Sequence, residues 1–188
     1  MNGVLSAAAE VQAFCDGQGW QFCFIGGIAL QRWAEPRETI DVDLTLFTGF
    51  GNEDGFIDRL LERFEARIDA AGNFARERRV LLLRSRDGAG IDIAMGALPF
   101  EELMISRSSE FAFPGEIKLR TCSAEDLIVL KAFAGRPQDW IDVERTIVRQ
   151  TGKLDWEYVL DQLQPLAELK DAPHILEALE QRRIEFEK

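Results

Sequence analysis

The stretch FIGGIALQRWAEPRETIDVDLTLF, Phe24 to Phe47, ends an apolar run on two glycines and returns with Asp41 and Asp43 in an alternating segment. Side chains two apart on a strand project from the same face, so both aspartates aim their carboxylates together while Val42 and Leu44 face the opposite, core side. Two neighbouring carboxylates repel unless a cation lies between them. Two readings stand side by side at this point: half of a divalent-metal site, or an acidic face turned to water. Gly26 and Gly27 pose the same alternative. They precede a short helical pattern, IALQRWA, whose free N–H groups suit a phosphate, or they simply form a sharp strand-to-helix turn.

Working outward, the residues on either side read as a mixed α and β half. Val4, Leu5, Ala8, Val11 and Phe14 recur near helical spacing over residues 4–16, and FCFI (22–25) reads as a buried strand. IDVDLTLF (40–47) alternates, and DGFIDRLLERFEARI (54–68) has helical periodicity throughout. RVLLLRS and IDIAMG flank an Asp87-Gly88 hairpin signal. That hairpin offers Asp92, a lone acid in an apolar strand, as a third carboxylate beside the first two. A further short β segment is expected around Pro114-Gly115. Beyond Thr121 the pattern turns helical. SAEDLIVLKAFAG opens on Ser123 in a capping arrangement and stops at Gly135. PQDWIDVERTIVRQTG, DWEYVLDQLQPLAEL and APHILEALEQRRIEF supply three more helices. The fold class read from this is α+β, a mixed sheet with flanking helices over 1–121 and a helical bundle over 122–188.

The chain of 188 residues is 46% hydrophobic and 29% charged, which describes a folded domain with a proper core. No apolar run approaches the roughly 18–20 residues that cross a bilayer. The N-terminus lacks the basic segment of a secretory signal, and Cys15, Cys23 and Cys122 lack metal-ligand spacing. The expectation is a cytoplasmic protein with reduced, buried thiols and no membrane partner. A net charge of −11 repels nucleic acid on average, so no DNA partner is expected. The run Arg76–Arg86 is a local exception; read as a strand, it suits a solvated edge as well as a nucleic-acid contact.

Taken together, GGIALQRWAEPRETIDVDL resembles the signature of polymerase-β-type nucleotidyltransferases, and more narrowly the AbiEii-type toxins and related minimal nucleotidyltransferases. The matching positions are Gly26, Gly27, Ala29, Leu30, Arg37, Thr39, Asp41, Asp43 and Asp92. SAEDLIVLKAFAGRPQDWIDV is similar to that family's helical segment, through Lys131, Arg136, Asp139 and Asp142. The turn carries Gly-Gly-Ile where the wider superfamily often has Gly-Ser, which removes one hydroxyl contact to phosphate.

The resemblance implies a Mg²⁺-dependent transfer of a nucleoside monophosphate from a nucleoside triphosphate to a protein or RNA hydroxyl, with tRNA among the candidate acceptors. It implies two Mg²⁺ ions held by Asp41, Asp43 and Asp92, and a nucleotide-binding set of Gly26, Gly27, Arg37, Thr39, Arg136 and Asp139, in which Asp139, with Asp142, holds Lys131 or Arg136. Lys131 joins the catalytic set as a triphosphate contact; read without the family, it is a lysine snorkelling from mid-helix. A toxin–antitoxin or phage-defence setting, with a cognate antitoxin as partner, belongs to the same expectation. The alternative from another class is a nucleotide-binding sensor or scaffold that has the fold without catalysis.

Overall fold

The computed structural model describes residues 2–187. By compactness the chain divides into two units. One takes the chain up to Ile28 together with Glu38–Cys122, and the other takes Ala29–Arg37 with the chain from Ser123 onward.

In the first unit, α1 (Asn2–Gly17) leads into β1 (Phe22–Phe24) and into the opening residues of α2 (Gly26–Trp33). Next come β2 (Asp41–Phe47), α3 (Glu53–Arg63), β3 (Glu65–Ala66), α4 (Ala71–Arg78), β4 (Val80–Arg84) and β5 (Gly90–Gly96). Then α5 (Pro99–Arg107) precedes the hairpin of β6 (Ser109–Phe113) and β7 (Ile117–Thr121). The seven strands form one mixed sheet in the order β3-β4-β5-β2-β1-β7-β6. Its centre is the parallel pair β2 and β5, with Asp43 opposite Asp92 and Asp41 opposite Gly90.

Alternation on these two strands decides what is core and what is site. Val42, Leu44 and Leu46 of β2 and Ile91 and Ile93 of β5 are fully buried. They share one cluster with Leu81 and Leu83 of β4, Leu5, Ala8 and Val11 of α1, and Ile57 and Leu60 of α3. Each buried Leu or Ile contributes about 1.5–3 kcal/mol, so this face locks the register of the strands. The aspartates are thereby committed to the opposite face. The three cysteines are buried and unbridged, and burial, with a smaller push from Asp16, raises the Cys15 thiol to about 12.

Two sequence expectations are corrected here. The helix expected over 54–68 ends at Arg63, and Phe64 is extended. Glu65 and Ala66 pair instead with Arg84 and Leu83, while the Phe64 ring packs edge-on against Phe14 at 5.7 Å. Sheet pairing and ring burial outweigh the helical period. The arginine run is also no single strand, because Arg76 and Arg78 belong to α4. Arg79, in a left-handed conformation at φ 56°, turns the chain into β4. The Arg79 guanidinium accounts for that turn. It donates to the Met95 carbonyl at 2.9 Å and the Gly49 carbonyl at 3.0 Å, and it pairs with Glu53. Arg76 is likewise committed to Asp54 at 2.6 Å. The run therefore commits Arg79 inside the fold and Arg76 to a pair on the surface.

The second unit is helical: α6 (Ala124–Ala134), α7 (Pro137–Arg149), α8 (Trp156–Leu169) and α9 (His174–Phe186). Ser123 caps α6 by accepting the Asp126 N–H at 3.1 Å, and Gly135 closes it in the left-handed conformation at φ 70°. Leu127, Ile128, Val143, Ile147, Val159, Leu163 and Leu179 are buried to completion. Segment 29–37 is tied to this unit by polar bonds at the carbonyls that end α2. Arg149 donates to the Ala34 carbonyl at 2.6 Å and Gln150 to that of Trp33 at 2.9 Å, capping the C-terminal end of α2. Among the described residues, no helix is long and apolar enough to cross a membrane.

Candidate active site

Asp41, Asp43 and Asp92 stand on one face of adjacent parallel strands, put there by the register Asp43↔Asp92. The space around them is made by glycines. A Cβ on Gly26, whose φ is 55°, would overlap the Asp43 carboxylate. A Cβ on Gly27 would overlap the Thr39 hydroxyl, and one on Gly90 would overlap the Asp41 carboxylate. The Gly26-Gly27 turn is thus in contact with the acidic strand, and β1 delivers it there: the Ile25 N–H donates to the Asp43 carbonyl at 3.0 Å. Thr39 donates its hydroxyl to the Asp41 carbonyl at 3.2 Å, bracing the entry to β2.

A residue absent from the sequence expectations completes this group. Arg67, which follows β3, brings Nη2 to 2.6 Å from Asp92 Oδ1 and Nη1 to 3.6 Å from Asp41 Oδ1. The contact with Asp92 is one of charge rather than a directed hydrogen bond, since the buried Oδ1 receives no aligned donor. Burial pushes the Asp92 carboxyl above the ordinary carboxylate range; Arg67 pulls it down, and Asp41 adds to the upward push. No local motif flags Arg67. Its position depends on the edge strand that sequence periodicity had assigned to a helix.

Among the described residues no three His, Cys, Asp or Glu side chains already converge as a metal-holding group. The donor chemistry nevertheless fits Mg²⁺, which takes one or two carboxylates and completes its shell with water and substrate phosphate oxygens. A buried carboxylate oxygen with no aligned donor is what such an ion would satisfy.

The remaining expected residues, Arg37, Lys131, Arg136 and Asp139, lie in the second unit and form a separate network with Asp142. Lys131, nearly buried, places Nζ 2.9 Å from Asp139 Oδ1 and 2.9 Å from Asp142 Oδ2. Arg37 grips Asp142 bidentately, Nε at 3.0 Å and Nη2 at 3.1 Å. Arg136 reaches Asp139 Oδ2 at 2.5 Å with its side chain 74% exposed. For both aspartates burial alone would raise the pKa. Hydrogen bonds outweigh it, from Arg136 and Lys131 at Asp139 and from Arg37 and Lys131 at Asp142, and hold both carboxyls below the ordinary range. A cavity of about 510 Å³ in this unit, lined among others by Ile141, Val148 and Phe186, contains none of the expected site residues.

The family described as "Nucleotidyl transferase AbiEii toxin, Type IV TA system" matches residues 12–181. The chain belongs to the AbiEii nucleotidyltransferase family. Several solved structures share its fold. An antigenic nucleotidyltransferase-like protein from Paracoccidioides brasiliensis is 16% identical, with a TM-score of 0.56 over 95% of this chain and 94% of that one. The antibiotic-resistance factor ANT(2'')-Ia in solution is 18% identical, with a TM-score of 0.53 over 89% and 92%. ANT(2'')-Ia in complex with adenylyl-2''-tobramycin is 14% identical, with a TM-score of 0.52 over 88% and 98%. No curated protein matches the chain in sequence. Family membership makes the chain a nucleotidyltransferase, and the matched segment takes in every expected site residue from Gly26 to Asp142.

Proposed function

We propose that this nucleotidyltransferase moves a nucleoside monophosphate from a nucleoside triphosphate to a protein or RNA hydroxyl, using Mg²⁺ held by Asp41, Asp43 and Asp92. The observation that carries this reading is the register Asp43↔Asp92, which stacks the carboxylates of two strands on one face beside the Gly26-Gly27 turn. Bound Mg²⁺ would neutralise phosphate charge and activate the attacking hydroxyl. The chain's own residues do the positioning. Gly26 and Gly27 let the backbone at the start of α2 approach the triphosphate, where N–H groups and the helix dipole favour anions. Thr39 keeps β2 in line, so that Asp41 and Asp43 present together. Holding donor and acceptor in one geometry supplies much of the acceleration in such transfers.

In the second unit the geometry favours a positioning role for Lys131, because two buried carboxylates already flank its ammonium. Arg37, Asp139 and Asp142 complete that pin. Arg136 is the cation of the network turned most toward water, and it suits a triphosphate contact best. A cytoplasmic setting, and work as the toxin half of a type IV toxin–antitoxin pair with a cognate antitoxin, are part of this proposal.

The test offers each α-labelled nucleoside triphosphate with Mg²⁺ to the purified protein, together with RNA and with cell protein. Label should pass to one acceptor class with wild type and fall at least a hundredfold with Asp41→Ala/Asp43→Ala. Tight nucleotide binding without any transfer would replace the enzyme by a sensor.

A further inference from the structure

Two of the arginine–aspartate contacts made at the expected site residues are built differently. Arg37 meets Asp142 with two aligned hydrogen bonds, the geometry of a lock. Arg67 lies as close to Asp92, at 2.6 Å, yet gives that buried oxygen no aligned bond and stretches to 3.6 Å from Asp41. Its backbone is anchored by an N–H donated to the Leu82 carbonyl at 3.0 Å, next to a strand of two residues at the sheet edge. The side chain is thus a cation suspended over an acidic face by a short tether.

Room for it is provided. Gly90 sits opposite Asp41 in β5, and a Cβ there would overlap both the Asp41 carboxylate and the Arg67 guanidinium. The formal charge explains the need: three carboxylates on one face repel, and Arg67 cancels one of the three. A divalent ion would approach the same Oδ1 atoms to about 2.0–2.1 Å. A guanidinium nitrogen already beside Asp92 Oδ1 occupies that approach and repels the incoming charge.

We propose that Arg67 is a placeholder cation, which holds Asp41 and Asp92 together before a divalent ion binds and is displaced when it does. This rests on the reading of the three aspartates as the metal site. Arg67 sets the metal affinity of the nucleotide-free protein: the competent fraction is the one with Arg67 swung away, and apparent affinity is reduced by that fraction.

Free Mn²⁺ is titrated by electron paramagnetic resonance against nucleotide-free wild type, Arg67→Gln, Arg67→Ala and Asp41→Ala/Asp43→Ala, each checked for fold by circular dichroism. Both Arg67 variants should bind Mn²⁺ about fivefold or more tighter than wild type, and the double aspartate variant should lose the site. Equal or weaker binding in the Arg67 variants, with loss in the aspartate variant, would overturn the placeholder and leave the metal site standing. Binding that ignores Asp41 and Asp43, or that is absent throughout, would overturn both. A second readout needs no variant. In wild type the Arg67 Nε–H resonance should move on saturation with Mg²⁺ while that of Arg37 stays, and a stationary Arg67 signal would contradict the proposal.

Discussion

Asp92 combines two features that rarely coexist in a residue kept for stability: a carboxylate oxygen without an aligned donor and a pKa raised chiefly by burial. An acid whose pKa rises on folding is strained when ionised. Its cost is present above the folded pKa and is relieved as pH falls through it. Two outcomes follow. Asp92→Asn should leave the metal-free protein as stable as wild type or up to about 1 kcal/mol more stable in urea melts. The Mn²⁺ affinity of wild type should begin to weaken on acidification at a pH above about 3.9, where an ordinary aspartate takes its proton. A pH titration of Mn²⁺ affinity checks the second point. Gly26 makes the complementary case. Its φ of 55° and its contact with Asp43 leave no room for a methyl group. Gly26→Ala should cost about 1–3 kcal/mol of stability and should cut transfer at least as severely as losing Asp43, measured as kcat on folded protein.

Among elements, α6 and α7 are joined by ions rather than by packing alone. Lys131 of α6 is shared between Asp139 and Asp142 of α7, and Arg37 reaches in to the second of them. Removing one partner from a buried pair leaves a charge uncompensated, so Asp142→Ala should destabilise the second unit by about 3–5 kcal/mol. Both carboxyls are held below their ordinary range. For such groups the stabilisation is present above the unfolded pKa and is lost as pH falls through the folded one. The stability of this unit should therefore be flat at neutral pH and fall away below the ordinary carboxylate range. Replacing Asp142 should flatten that slope, and urea melts between pH 7 and pH 3 would show it.

The strands β1, β2 and β5 were legible in the sequence because their alternation and their apolar runs match what the sheet buries. The helices from Ser123 onward were legible through their caps, Ser123 and Gly135 above all. The end of α3 was not, since Phe64 and Ile68 continue a helical period that only the distant partner Arg84 overrules. The short helix α4 was missed for a related reason, since the tertiary contacts of Arg79 close it; α5 was missed although Pro99 and the Glu101 cap mark its start locally.

For the whole molecule, a net charge of −11 would make the binding of a polyanionic nucleotide dependent on cations. A ligand that binds only the folded state at about a hundred times its Kd adds about 2.7 kcal/mol. A nucleoside triphosphate should accordingly raise the melting temperature only with Mg²⁺ or Mn²⁺ present, and the shift should vanish in Asp41→Ala/Asp43→Ala. The carboxylates of the candidate site were legible at this scale because the D-x-D strand and Asp92 carry their spacing in the chain itself. Arg67 was not, because nothing near it in sequence marks it. Only the sheet order, with β3 at the edge beside β4 and one strand away from β5, brings it over the acids.

The most direct measurement is anomalous diffraction at the manganese edge, from crystals grown with Mn²⁺ and a nucleoside triphosphate analogue that cannot transfer. The expected result is a peak within ligand distance of Asp41 and Asp43, shared with Asp92, with the Arg67 guanidinium moved off Asp92 Oδ1. Nucleotide bound with manganese elsewhere, or with Arg67 still seated between Asp41 and Asp92, would contradict it.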